Sequence, residues 1–177
     1  MRTTTANIIL VSLILVLVGQ SNAETLTWRG LTVEPENRCE PYVRSHYHYS
    51  ASIEQKIVDK QDGKIWSPYD NKTFKSIKET DIEHIVAAAE AHDSGLCSAD
   101  RETRKTFAQD LRNLTLAGPW LNRYDKVDKD AADWLPTHNK CWYVQTILEV
   151  KRAYVLSVDQ AEADAIEAVL EGCEEKQ

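Results

Sequence analysis

The hydrophobic pattern changes period several times along the chain. Ile8 to Val18 is an apolar run interrupted by Ser12, preceded by Arg2 and followed by Ser21-Asn22-Ala23. A positive start, an apolar stretch short for a membrane span and a small-residue cleavage site read as a secretory signal peptide over residues 1–23. Glu24 to Glu40 is polar, with Gly30 and Pro35, and reads as an extended lead-in. Ile53 to Asp59 is a short amphipathic segment, and Asp62-Gly63-Lys64 between Ile57-Val58 and Ile65-Trp66 has the turn chemistry of a hairpin. Thr80 to Val86 reads as a strand, and Ala87 to His92 as a helix of strong helix formers stopped by Asp93-Ser94-Gly95. Ser98 to Leu111 reads as a second helix, capped by Ser98, with Phe107 and Leu111 on one face. Asn113-Leu114-Thr115-Leu116 is another short strand, followed by a turn at Gly118-Pro119 and a helix opened by Asn122. Lys126 to Leu135 reads as a charged helix ending at Pro136. Asn139 to Val155 and Asp159 to Leu170 are amphipathic helices joined near Leu156-Ser157-Val158. The last has Ala161, Ala165, Ile166, Val169 and Leu170 inside, and Glu162, Asp164, Glu167 and Glu171 on a solvated face.

The mature chain, 24–177, is about the length of one domain. Its core is expected over about 80–135, with a C-terminal helical hairpin over about 139–173. The formal net charge of the full sequence is −7, which argues against a broad nucleic-acid-binding coat, because phosphate affinity comes from Lys and Arg. The bases are nevertheless concentrated between Arg101 and Arg152, among them Arg104, Lys105, Arg112, Arg123, Lys126, Lys129, Lys140 and Lys151, so a local phosphate-binding cleft is expected there. The 4 cysteines of an exported chain read as two disulfides, spaced too widely for a zinc knuckle. Three pairings are possible. An antiparallel helix pair with its turn near Ser157 would bring Cys141 to Cys173, leaving Cys39 with Cys97.

The candidate chemistry lies between Asp81 and Lys129. Glu83 and His84 are adjacent at the end of a strand, and Asn122 stands at the start of a helix. A carboxylate and an amide oxygen are hard donors suited to a divalent metal that keeps several waters. A neutral imidazole beside them can take a proton from water attacking phosphorus. His46 and His48 share strand spacing, but without a carboxylate or cysteine to complete a ligand set they read as a partly buried aromatic surface rather than a second metal site. His92 and Asp93 fit either a supporting role behind the site or a helix C-terminus.

Glu83-His84-Ile85-Val86, Asn113-Leu114-Thr115-Leu116, and Asn122-Arg123 with Lys126 together resemble the HNH, or ββα-metal, endonuclease superfamily, and in particular its GmrSD-type C-terminal-domain branch. Trp66-Ser67-Pro68-Tyr69-Asp70, Glu90-Ala91-His92-Asp93-Ser94-Gly95 and Trp134-Leu135-Pro136 are similar to stretches of small secreted members. One departure is Ala87-Ala88-Ala89, where many relatives carry a proline. The resemblance implies an α+β fold: a ββα-metal core with additional helices, here pinned by two disulfides. It implies a nuclease, secreted or periplasmic, cutting DNA, with RNA as the second substrate class, and using Mg²⁺ or Mn²⁺. Low sequence specificity is expected because no recognition module stands beside the core, and a monomer is expected. His84 would be the general base, Glu83 and Asn122 the metal ligands, with Asp81 as the alternative carboxylate. Asn113 would hold the loop that orients the histidine. Arg123 and Lys126 would contact phosphate, and Lys129 more weakly. No membrane contact is expected after signal cleavage. An immunity partner, which a toxic nuclease would need before export, has no signature in the chain. The competing reading is an inactive secreted binding domain on the same fold. Asn113-Leu114-Thr115 is also a formal glycosylation sequon, as is Asn71-Lys72-Thr73; a glycan on Asn113 would disable the site.

Overall fold

The structure is a computed structural model that describes residues 25–50 and 52–174; the expected signal peptide lies outside them. The lead-in is extended but contains a small hairpin. Arg29 and Gly30 take positive φ values of 48° and 84°, and the turn they form pairs β1 (Thr27–Trp28) with β2 (Leu31–Thr32). Beyond it, Val33 forms a parallel bridge with Val158, which ties the N-terminal segment to the C-terminal helices.

The hairpin expected around Gly63 does not form. Residues Ile53–Lys60 are helix α1, burying Ile53, Ile57 and Val58. Positions 53 and 57 lie one helical turn apart, and Gln55 donates to Asp59 across the exposed face at 2.9 Å, so the segment satisfies a helical period better than an alternating one. Strand β3 (Trp66–Ser67) instead pairs with β4 (Lys72–Thr73), reversing at Asn71, whose φ is 57°.

β5 (Asp81–His84) follows, then helix α2 (Ala88–Asp93) and helix α3 (Arg101–Gln109). The cap of α3 is Asp100 rather than Ser98: Asp100 Oδ1 accepts from Thr103 N at 2.7 Å. A carboxylate two residues later than the expected serine satisfies a first-turn N–H and complements the helix dipole. β6 (Leu114–Ala117) returns antiparallel to β5, with Glu83 opposite Thr115 and His84 opposite Leu114.

β6 is buried along its whole length. Leu114 and Leu116 pack with Ile53, Ile57 and Val58 of α1, and Ala117 belongs to the larger cluster containing Tyr69, Phe107, Tyr143, Ile147 and Ile166. Each such aliphatic side chain contributes roughly 1.5–3 kcal/mol on burial, so β6 is fixed from both faces, and β5 through it.

After β6 the chain winds into a π-helical stretch, Leu121–Lys126. The charged helix expected over Lys126–Leu135 is absent. Val127 takes a φ of 56°, and Asp130 Oδ1 accepts from Ala132 N at 2.8 Å and Asp133 N at 3.0 Å. Those local bonds give the backbone an alternative to the helical ladder. Helices α4 (Lys140–Ala153) and α5 (Gln160–Glu174) form the C-terminal pair.

Disulfides join Cys39 to Cys97 and Cys141 to Cys173, the pairing expected from the helical turn. Glu162 corrects the sequence reading of α5. It is buried, not solvated, and its Oε2 accepts from Lys151 Nζ at 2.5 Å, while Glu90 Oε1 of α2 accepts from the same ammonium at 2.7 Å. One buried cation thus joins α2, α4 and α5. The observed class is mixed helix and strand with two disulfides.

Candidate active site

His84 closes β5, where the chain leaves the sheet. Asn113, fully buried at the head of β6, fixes that exit: its Oδ1 accepts from Val86 N at 2.7 Å and its Nδ2 donates to Val86 O at 3.1 Å. The side chain imitates a strand neighbour for the first residue pair beyond the ladder.

The His84 ring stacks parallel to Phe107 at 6.1 Å between centroids, with Tyr49 at 5.9 Å. Its Nε2 lies 3.1 Å from Ala108 O. A carbonyl oxygen can only accept, so Nε2 carries the proton and Nδ1 is the basic nitrogen. Nδ1 has no protein partner among the described residues. Burial pulls the imidazole down to about 4, and Lys126 and Arg44 push the same way against the Ala108 hydrogen bond. The ring is therefore neutral at physiological pH.

Glu83 is only 3% exposed, and its Oε1 lies 2.8 Å from the ammonium of the fully buried Lys126. Lys126 also donates to His84 O at 3.1 Å. Burial pushes the Glu83 carboxyl up while Lys126 opposes the shift. Asp81, two residues back on the same face of β5, accepts from Arg123 through both oxygens at 2.7 Å and from Asn122 Nδ2 at 3.2 Å. With its amide N–H engaged by Asp81, Asn122 keeps Oδ1 as the end available to a cation. The structure therefore brings Asp81, Glu83, His84, Asn122 and Arg123 to one cleft of about 1080 Å³.

Lys126 and Lys129 do not occupy the phosphate-facing positions expected of them. Lys126 lies beneath the strand, because Glu83 there needs a counter-charge. Lys129 donates to Asp125 O at 2.7 Å and lines a separate cavity of about 330 Å³ with Glu36, Asp93, Asp128 and Asp130, a setting that repels phosphate. Arg104 and Lys151, counted in the basic region by sequence, are buried structural groups. His92 is also structural: Nε2 donates to Glu40 O at 2.8 Å, and Nδ1 accepts from Tyr47 OH at 2.8 Å. His46 and His48 share no site; His46 Nδ1 lies 3.4 Å from Arg104, and His48 lines the cleft.

Sequence reasoning missed Arg44 and Tyr49, which line the same cleft. The only signal was their place in a Tyr/His-rich stretch far from the motif.

Among the described residues no group of three or more His, Cys, Asp or Glu side chains is arranged to hold a metal. The donor chemistry facing the cleft does fit a hard divalent ion with a mostly aqueous shell: Asn122 Oδ1, Asp81 and Glu83 are all oxygen donors. The Lys126 ammonium already places a cation 2.8 Å from Glu83 Oε1.

The short antiparallel strand pair thus ends in a half-buried, neutral histidine beside acidic and amide oxygens. The match over residues 32–169 is to the family described as GmrSD restriction endonucleases, C-terminal domain, and the chain belongs to that family. It is also 30% identical over 175 residues to an uncharacterized secreted protein of Arthroderma benhamiae, covering 86% of this chain and 85% of the relative. No solved structure matches the chain. Among the described residues no helix is long and apolar enough to cross a membrane.

Proposed function

We propose that the protein is an exported, metal-dependent endonuclease that hydrolyses phosphodiester bonds of DNA, or of RNA by the same chemistry, with low sequence preference. The observation that carries this reading is the His84 ring, held by Ala108 O so that a neutral Nδ1 serves as acceptor in a cleft lined by oxygen donors. β5, β6 and Leu121–Lys126 would supply the two strands and helix of the ββα arrangement. Export rests on the signal-like residues 1–23, the two disulfides and the secreted relative.

His84 Nδ1 would accept a proton from the attacking water as the water oxygen bonds to phosphorus and the P–O3′ bond breaks, leaving a 5′ phosphate. Glu83 and Asn122 Oδ1 would hold the metal. Asp81 would keep the Asn122 amide turned the right way by accepting from Nδ2. When bound, a Mg²⁺ or Mn²⁺ ion would stabilise charge on the phosphorane and on the leaving 3′ oxygen. Arg123, already carried on Asp81, would face the phosphates. Low sequence preference follows from a cleft whose charged groups address phosphate rather than base edges.

The test is nicking of supercoiled plasmid by the oxidised mature chain with Mg²⁺, Mn²⁺ or EDTA. Metal-dependent nicking is expected, with His84→Ala slower by about 10²–10⁴-fold. Nicking that survives His84→Ala would assign the base elsewhere. A folded chain that cuts with neither metal would point to a binding domain on this fold.

A further inference from the structure

Part of the cleft wall is contributed by residues 42–49, which lie outside the strand pair and the Leu121–Lys126 turn. This segment is anchored at both ends. Cys39 is bonded to Cys97, and Glu40 accepts from His92 through its carbonyl and pairs with Arg104 through its carboxylate. Tyr47 donates to His92 Nδ1 and stacks on Tyr42 at 5.3 Å. Between these anchors the backbone turns through a 3₁₀ helix, Arg44–His46, which carries Arg44 at the cleft.

Among the described residues the Arg44 guanidinium has no carboxylate, carbonyl or ring partner. The other long cations near the strand are committed: Arg123 to Asp81 by two bonds, and Lys126 to Glu83. An arginine held in position by a fixed backbone, with its five N–H donors unspent, is suited to a bidentate oxyanion. Its charge reaches His84, Tyr42 and Tyr49 across the cleft.

We infer that Arg44 is a phosphate-binding residue of this site, gripping the non-bridging oxygens of a nucleic-acid phosphate next to the one being cut. This rests on the nuclease reading for the identity of the anion. Arg44 would set substrate affinity and register, while His84 carries the proton.

The experiment measures binding of a fluorescent oligonucleotide, in single- and double-stranded form, to the oxidised His84→Ala chain in EDTA across a salt series, beside the steady-state kinetics of the chain with His84 intact. Adding Arg44→Gln is expected to weaken binding about tenfold, in line with loss of one charge-assisted bidentate contact. It should lower the salt slope by roughly 0.7–0.9, the share of one phosphate contact. Arg44→Lys should restore part of both, and Lys64→Gln, an exposed cation outside the cleft, should change neither. In the kinetics KM should rise more than kcat falls. Among the described residues Arg44 has no side-chain hydrogen bond, ion pair or ring contact to lose, so the variants should keep the Tm of the parent chain, which is checked beside the binding. Unchanged affinity and salt slope in Arg44→Gln would overturn the inference, as would the absence of any oligonucleotide binding. Arg44-dependent binding by a chain that never cuts would sink the nuclease reading and leave this one standing. Cutting indifferent to Arg44 would do the reverse.

Discussion

His84 illustrates how much a single residue owes to partners that leave no trace in the motif. Its identity as a candidate base was legible from the adjacent Glu83 and the two asparagines downstream. Its tautomer was not, because the partner is a backbone carbonyl at the end of α3, and any residue type supplies a carbonyl. The pH consequence has a definite sign. An ordinary histidine titrates near 6.5, whereas burial holds His84 at about 4. The unfolded chain therefore binds the extra proton first, so this group's contribution to stability is complete above pH 6.5 and is lost as pH falls toward 4. The acid limb of kcat/KM should likewise fall near pH 4. A pH–rate profile with its limb near 6.5 would show instead that the ring is solvated. Asn113 was expected to hold the loop beyond the histidine, and its amide makes two hydrogen bonds to the Val86 backbone. Asn113→Ala leaves a buried N–H and C=O unpaired, so a loss of about 1–3 kcal/mol in urea unfolding is expected.

At the level of elements, the paired strands and the last two helices were readable because their apolar periods are strong. The misreading of the last helix has a clear cause: a polar side chain engaged by a distant partner looks, in sequence, like a polar side chain facing water. Glu162 sits at a position that periodicity assigns to solvent, yet α4 brings Lys151 against it and α2 brings Glu90 against the same ammonium. Burial pushes Glu162 up, and Lys151 counteracts the shift. Removing the cation with Lys151→Met would leave two carboxylates buried without a counter-charge. A cost of about 3–5 kcal/mol at neutral pH is expected, read as a lower urea midpoint, with part recovered in the double variant Lys151→Met, Glu162→Gln. An unaffected midpoint would mean that water reaches the cluster. The lost helix over Lys126–Leu135 has a local origin instead: Asp130, read as one charge among many, caps its own turn.

For the whole molecule, charge counting along the sequence overstated the cationic surface of the site. Arg104, Lys126 and Lys151 are buried, Arg112 is paired with Asp110 and Arg123 with Asp81. With a formal net charge of −7, nucleic-acid affinity should rest on few phosphate contacts, and the salt dependence of binding should be shallow. The disulfide pairing was legible because equal distances from a helical turn constrain it geometrically. The two bridges should separate in their effects. Replacing Cys141 and Cys173 by serine should lower stability by about 2–4 kcal/mol while the folded fraction keeps its specific activity. Replacing Cys39 and Cys97 should also raise KM, since that bridge anchors the segment bearing Arg44. Equal KM values in the two variants would mean that His92 and Arg104 hold the segment without the bridge.

Lys126 has a consequence for how such a protein can be handled. Its ammonium sits where Glu83 needs a positive neighbour, so the most deeply buried acid of the cleft is neutralised by the chain's own atoms. If the chain is the nuclease proposed above, its folding should then not require a dissolved ion, and it should rest free of metal without losing its structure. Preparations made and stored with a chelator should hold their Tm and remain silent, and cutting should begin within mixing time once Mg²⁺ is supplied, with no refolding phase before it.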